Sequence, residues 1–163
     1  MKVTVTRGDI GTVKSDALIA PINSMGMWLG GIDRVIRNNA GNRFHSQVKP
    51  PISDGDTVFA RGNGFIAFRN VCFVIDDLQS PTEEIVTNAL TECDKWKCGV
   101  VTLPAIRLGV MSGAVETREK TIEATCKAAL SFSGKNIKHI KIVLWDIEPS
   151  AFVKYGVEVG NGN

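Results

Sequence analysis

The chain has 163 residues, 44% of them hydrophobic and 22% charged, with a net charge of +2. That is about one domain's length, enough to bury a substantial core. The charge does not by itself call for nucleic acid, Lys and Arg are scattered rather than gathered into a DNA-binding stripe, and no apolar run could cross a bilayer.

Lys2 to Thr6 alternates and predicts a first strand. Ala17 to Ile22 is continuously apolar, as a strand buried on both faces is. Gly30 to Ala40 carries apolar residues at Ile32, Val35, Ile36 and Ala40 and predicts a helix ended by Gly41. Residues 42 to 56 hold Pro50-Pro51 and Asp54-Gly55 and read as loop. Thr57 to Ala60 and Val71 to Ile75 are strands, joined around Gly62-Asn63-Gly64 by a hairpin or a longer connection. Pro81 opens a helix with Ile85, Val86, Ala89, Leu90 and Cys93 on one face. Val100 to Leu103 is a short buried strand stopped by Pro104. Residues 115 to 132 form a helix with Ile122, Cys126, Ala129 and Leu130 inside. Ile140 to Trp145 is a last apolar strand, followed by a helical stretch from 149 to 154 and an end, 157–163, expected to fray. The alternation predicts one α/β domain: a three-layer α/β/α sandwich around a mixed, mostly parallel sheet.

Four cysteines, Cys72, Cys93, Cys98 and Cys126, sit inside apolar patterns without a Cys-x-x-Cys pair. No signal peptide is evident, so reduced thiols and a cytoplasmic location are expected. His45 and His139 lack metal-ligand spacing and read as surface or satisfied side chains. No metal and no cofactor is expected.

Two glycine-containing loops lead from strands into helices: Asn23 to Asp33, with Gly30-Gly31, and Pro104 to Gly113. Ligands of open α/β sheets bind beyond the strand C-termini. Glycines there let backbone N–H groups approach phosphate, and a following helix N-terminus favours the anion. A phosphate-bearing ligand, gripped by both loops, is the first expectation.

With five blocks in order, the chain resembles the macro domain, an ADP-ribose-binding module. Gly8-Asp9-Ile10-Gly11 is similar to the family's Gly-Asp-Ile-Thr. Ala20-Pro21-Ile22-Asn23-Ser24 fits its Asn-Ala-Ala-Asn-Ser, and Gly30-Gly31-Ile32-Asp33 fits its glycine run and Val-Asp. Residues Pro104 to Ser112 fit the second loop, and Trp145-Asp146 the final strand end. The departures are Ala20 for the first asparagine, Trp28 and Leu29 for two glycines, Met111 for the aromatic over the distal ribose, and Ser112 for the glycine after it. They keep the adenosine half of the pocket and remodel the distal half.

The resemblance implies a role for each residue, and each role has a plainer counterpart. Asp9 would accept from the adenine amino group, or serve as a turn or cap residue. Ile10 would give apolar surface and a backbone N–H near the base. Trp145 would stack on adenine, or pack in the core at a strand end, and Asp146 would cap the next helix. Asn23 would bond a distal-ribose hydroxyl, or satisfy loop backbone. Asp33 would position or activate water, or be a first-turn acid favoured by the helix dipole. Gly30, Gly31, Ile32, Leu108, Gly109, Val110 and Met111, with Ser112, would wrap the diphosphate, mostly through backbone.

Two functions follow. One is a hydrolase acting on ADP-ribosyl esters, O-acetyl-ADP-ribose or ADP-ribose 1''-phosphate, with Asn23 and Asp33 as catalytic residues. The other is a non-catalytic reader of ADP-ribose or a related nucleotide. The expected partner is ADP-ribose or an ADP-ribosylated small molecule or protein, with no membrane or DNA, bound by a monomer.

Overall fold

The computed structural model describes residues 1–26, 31–62, 66–109 and 111–161. Their seven strands form one sheet: β1 (Lys2–Arg7), β2 (Ser15–Ile22), β3 (Thr57–Arg61), β4 (Phe68–Ile75), β5 (Val100–Leu103), β6 (His139–Leu144) and β7 (Glu158–Val159). The order across the sheet is β3-β4-β2-β5-β6-β1-β7. All neighbours run parallel except β3 and β4, which pair antiparallel; Asn63 and Gly64 of the connection expected between them lie outside the described residues. The helices are α1 (Gly31–Ala40), α2 (Thr82–Lys95), α3 (Arg118–Ser131) and the short α4 (Ser150–Val153).

Strand alternation builds two cores. On β2, Ala17 and Ile19 face one side while Leu18, Ala20 and Ile22 face the other; on β4, Cys72 and Val74 oppose Val71, Phe73 and Ile75. The first face packs against α2, α3 and α4 through Ile85, Leu90, Ile122 and Phe152. The second takes Ile36 of α1 with Phe44, Phe68 and Phe73. Burying such a side chain contributes roughly 1.5–3 kcal/mol. The result is the expected α/β/α sandwich, with an apolar run wherever a strand is covered on both faces. No helix among the described residues is long and apolar enough to cross a membrane.

Five local expectations shift. β2 and β4 begin earlier, at Ser15 and Phe68. The loop of residues 42 to 56 contains a 3-10 turn, His45–Gln47. The helix expected from residue 115 starts at Arg118, because the Thr117 hydroxyl accepts the Lys120 N–H and caps it. Leu130 stands exposed rather than inside, the buried stripe of α3 being Thr121, Ile122, Thr125, Cys126, Ala128 and Ala129. Within the end expected to fray, Glu158 and Val159 pair with Thr4 and Val5, and the Gly160 N–H donates to the Val5 carbonyl at 2.9 Å.

The outer edge of β3 is met by a side chain. The Gln47 amide donates to the Arg61 carbonyl (2.7 Å) and accepts the Arg61 N–H (2.8 Å).

Candidate functional site

Because β1, β2, β4, β5 and β6 are parallel, their C-termini open on one rim. There β1 and β6 are neighbours, as are β2 and β5. The rim therefore has two parts, each fed by adjacent strands.

In the first part, Arg7 pairs with Leu144 and the Gly8 N–H donates to the Leu144 carbonyl at 2.7 Å. The Asp9 carboxylate accepts the Gly11 N–H at 2.9 Å and opens a 3-10 turn over Ile10–Thr12. Asp9 is thus a cap, as its plainer reading had it, yet its side chain stays exposed, with one oxygen at Gly11. Ile10 is buried against the α1 side of the sheet. A Cβ on Gly11 would lie 2.8 Å from Val35 Cγ1 and 3.0 Å from Asn39 Nδ2, so glycine lets the turn meet α1.

Trp145 follows β6 instead of ending it and is 75% exposed. Core packing of this indole is therefore overturned. Its carbonyl accepts from Arg7 Nε at 3.2 Å, and Arg7 pairs with Glu148. Asp146 is exposed and does not cap α4, whose N-cap is Pro149 with no side-chain bond.

In the second part, β2 ends at Ile22, whose carbonyl accepts the Asp76 N–H at 2.7 Å. Asn23 Oδ1 accepts the Met25 N–H at 3.1 Å, and the Ser24 N–H donates to Asp77 Oδ1 at 2.8 Å. The backbone-satisfying role foreseen for Asn23 is thus present. Of the residues singled out earlier, Trp28, Leu29, Gly30 and Val110 lie outside the described residues. Gly31 and Ile32 open α1, and a Cβ at Gly31 would meet nothing within 4 Å.

Asp33 sits in the first turn of α1, its side chain 16% exposed. Arg37 Nε lies 3.1 and 3.2 Å from its two oxygens, and His45 Nε2 lies 2.7 Å from Oδ1. His45 is buried, with its ring 5.2 Å from that of Phe73. Burial pushes its pKa below the usual histidine value, the Arg37 charge adds to that, and Asp33 opposes it. Arg37 was not singled out from the sequence, although its i,i+4 spacing from Asp33 is a signal that could have found it. No such spacing marks His45, since it returns to α1 only after the Gly41 cap and a further turn.

The loop after β5 is held by Arg107, a residue the sequence reading passed over. It is buried and adopts a left-handed φ of 63°. Its guanidinium donates to Asp76 through Nε (3.0 Å) and Nη2 (2.7 Å), to Thr82 Oγ1 (3.1 Å) and to the Ser80 carbonyl (2.7 Å). Glu116 Oε1 lies 3.8 Å from Nη1. Asp54 continues the network, accepting the Asp77 N–H and the Ser80 hydroxyl. Burial pushes the Asp54 pKa up, but those bonds outweigh it and hold the carboxyl below its ordinary value. The network ties the loop after β5 to those after β2 and β4. Leu108 points into the core, so only its backbone can serve a ligand; Met111 is half-buried, and Gly109 and Ser112 are exposed. A Cβ on Gly109 would meet nothing within 4 Å.

Among the described residues no group of His, Cys, Asp and Glu is arranged to hold a metal ion. The rim offers a carboxylate, an exposed indole and two strand-to-helix loops, which suits an aromatic base joined to an anionic, hydroxyl-bearing tail.

No family model matches the chain. It is 27% identical over 157 residues to an uncharacterized protein of Aquifex aeolicus (strain VF5), covering 91% of this chain and 92% of that protein. In structure it is similar to a Trypanosoma brucei macrodomain solved in complex with ADP. The TM-score is 0.78 at 15% identity, over 94% of this chain and 68% of that one. A mutant Oceanobacillus iheyensis macrodomain solved with ADPR gives a TM-score of 0.73 at 18% identity, over 93% and 89% of the two chains.

Proposed function

We propose that this chain, which has the macrodomain fold, binds ADP-ribose or an ADP-ribosylated molecule along the rim. The observation that carries this reading is the pairing of Asp9 and the exposed Trp145 past the ends of adjacent strands β1 and β6. A carboxylate selects adenine, which presents an amino group where guanine has a carbonyl, and base–aromatic stacking is worth roughly 1–3 kcal/mol. The open spaces at Gly31 and Gly109 support it, because among the described residues no atom lies within 4 Å of a Cβ at either position. In this arrangement the diphosphate meets backbone N–H groups of the two loops and the distal ribose meets Asn23.

A second reading adds hydrolysis at the distal ribose, with Asp33 positioning water. It is favoured by Asp33 standing in the first turn of α1, next to the glycine loop. Arg37 weighs against it, since its guanidinium donates to both carboxylate oxygens and so occupies the atoms that would hold a water. Binding is therefore the function put first.

Calorimetric titration with ADP-ribose tests the binding; a protein that takes up no ADP-ribose refutes it. Incubation with an aspartyl- or glutamyl-ADP-ribosylated protein, O-acetyl-ADP-ribose and ADP-ribose 1''-phosphate tests the chemistry. If Asp33 acts on water, Asp33→Ala lowers turnover by ~10²-fold or more while affinity stays within about tenfold. Asn23→Ala then weakens both. Wild-type binding without turnover removes the hydrolase reading and leaves the reader.

A further inference from the structure

A second recess lies on one face of the sheet, along β1 and β6. β1 sends Val3 and Val5 into the helix-covered core, which puts Lys2, Thr4 and Thr6 on the opposite face. β6 does likewise, with Ile140, Ile142 and Leu144 in the core and His139 and Lys141 opposite. The chain at Val159 to Asn161 closes the side, and the cavity so formed has a volume of about 250 Å³. Lys2 and His139 open their strands, so the far end of the recess lies about 16 Å from the rim at ~3.3 Å per residue, while Thr6 lines its near end one residue before β1 ends.

Every side chain that brings charge to this recess is basic. Lys141 is 7% exposed, and its ammonium donates to the Lys14 carbonyl at 3.2 Å. Among the described residues no carboxylate comes within 4.0 Å of Lys141 or Lys2. Glu158, the register partner of Thr4 on β7, is exposed and pairs with neither. His139 Nε2 lies 2.8 Å from the Thr4 hydroxyl. Burial lowers the His139 pKa and the charges of Lys141 and Lys2 lower it further; burial alone lowers that of Lys141. Burying an ammonium without an opposite charge is costly. Two lysines, an imidazole and the Thr4 hydroxyl offer donors around one cavity, the Thr6 hydroxyl donating to the Arg7 carbonyl at 3.4 Å, and no carboxylate among the described residues lines it.

We propose that the recess between Lys2, Thr4, Thr6, His139 and Lys141 is an anion site that takes a phosphate group, as inorganic phosphate or a small phosphate monoester. A dianion there compensates Lys141 and Lys2 and accepts from the Thr4 hydroxyl. The site is independent of the nucleotide rim and stands or falls separately from it.

The test is a titration with inorganic phosphate, chloride being lowered to hold ionic strength. It is followed by the ring proton signals of the two histidines and assigned with a His45→Gln variant. The expected result is a saturable shift of the His139 signal and a rise in its titration midpoint as phosphate binds. Lys141→Met should weaken the response by ~10-fold or more, the worth of one charge-assisted bond. Lys2→Gln, whose exposed side chain carries little packing, should weaken it in the same direction if Lys141→Met fails to fold. Lys138→Met, on the same strand approach but not lining the recess, should leave it unchanged. With ADP-ribose present in excess, the response of His139 should persist. A titration with glycerol 3-phosphate in place of phosphate then shows whether the recess also admits an ester. A linear, unsaturating shift overturns the proposal. So does an unaltered response in folded Lys141→Met or Lys2→Gln, or a response abolished by ADP-ribose, which would place the phosphate on the rim.

Discussion

Replacing Asp76 by Asn removes one charge and almost no volume. It strands Arg107, whose side chain is 2% exposed, with neutral acceptors at Thr82 and Ser80 and with Glu116 at 3.8 Å. Breaking a buried pair by removing one partner typically costs 3–5 kcal/mol. Glu116 and the two remaining bonds put this case at the lower end, about 3 kcal/mol. With a urea slope of about 2 kcal/mol/M, the midpoint should fall by roughly 1.5 M. The same substitution should weaken ADP-ribose binding, because Arg107 is what fixes the loop after β5. The double variant Asp76→Leu, Arg107→Met separates the two effects: an apolar pair restores much of the stability but not the loop's left-handed turn at residue 107, so affinity should stay low. Urea unfolding followed by circular dichroism, with calorimetry for the ligand, reads both quantities. A midpoint shift under about 0.5 M for Asp76→Asn would refute the reasoning, since the pair would then hold nothing in place.

Asp9→Ala should reduce ADP-ribose affinity by the worth of a charged hydrogen bond, ~1.5–3 kcal/mol, and the wild type should prefer ADP-ribose to GDP-ribose in calorimetry; equal binding of the two removes the role of Asp9. Trp145→Ala should weaken binding while leaving the urea midpoint nearly unchanged, because its ring is 75% exposed, and ligand-dependent fluorescence quenching should vanish with it. The pH dependence of stability follows from His45 and His139, whose pKa values are both lowered on folding. The unfolded chain then binds more protons, so stability present above the ordinary histidine pKa of about 6.5 is lost as pH falls below it. Urea midpoints at pH 8 and pH 5.5 should differ in that direction, and a flat profile would show that neither ring is held neutral.

The alternating elements were legible because β2 and β4 are covered on two faces and read as solid apolar runs, Ala17 to Ile22 above all, while β1 alternates with its one apolar face. β7 was not, since two residues between Val157 and Gly160 carry no period. The start of α3 hung on Thr117, a cap residue that looks like any threonine in a polar stretch. At the rim, the blocks around Asp9, Asn23, Asp33 and Gly109 were visible as short local signals beside glycines. What could not be seen were partners joined by folding alone. Asp76 and Arg107 are 31 positions apart, and neither sits in a local pattern. Ala20 gains a meaning from the structure: it is fully buried within β2, so an asparagine there would bring an amide into the core rather than onto the rim.

A sheet ends in two edges, and each open edge offers backbone groups to any passing extended chain. Here β7 is too short to template much pairing. The longer margin, β3, meets at Arg61 one side chain that imitates a neighbouring strand: the Gln47 amide gives and receives as a peptide unit would. That single amide ends the ladder where a second molecule would continue it. A glutamine outside the core thus occupies the edge groups of Arg61, and Gln47→Ala would leave the Arg61 N–H and carbonyl open to a neighbouring strand.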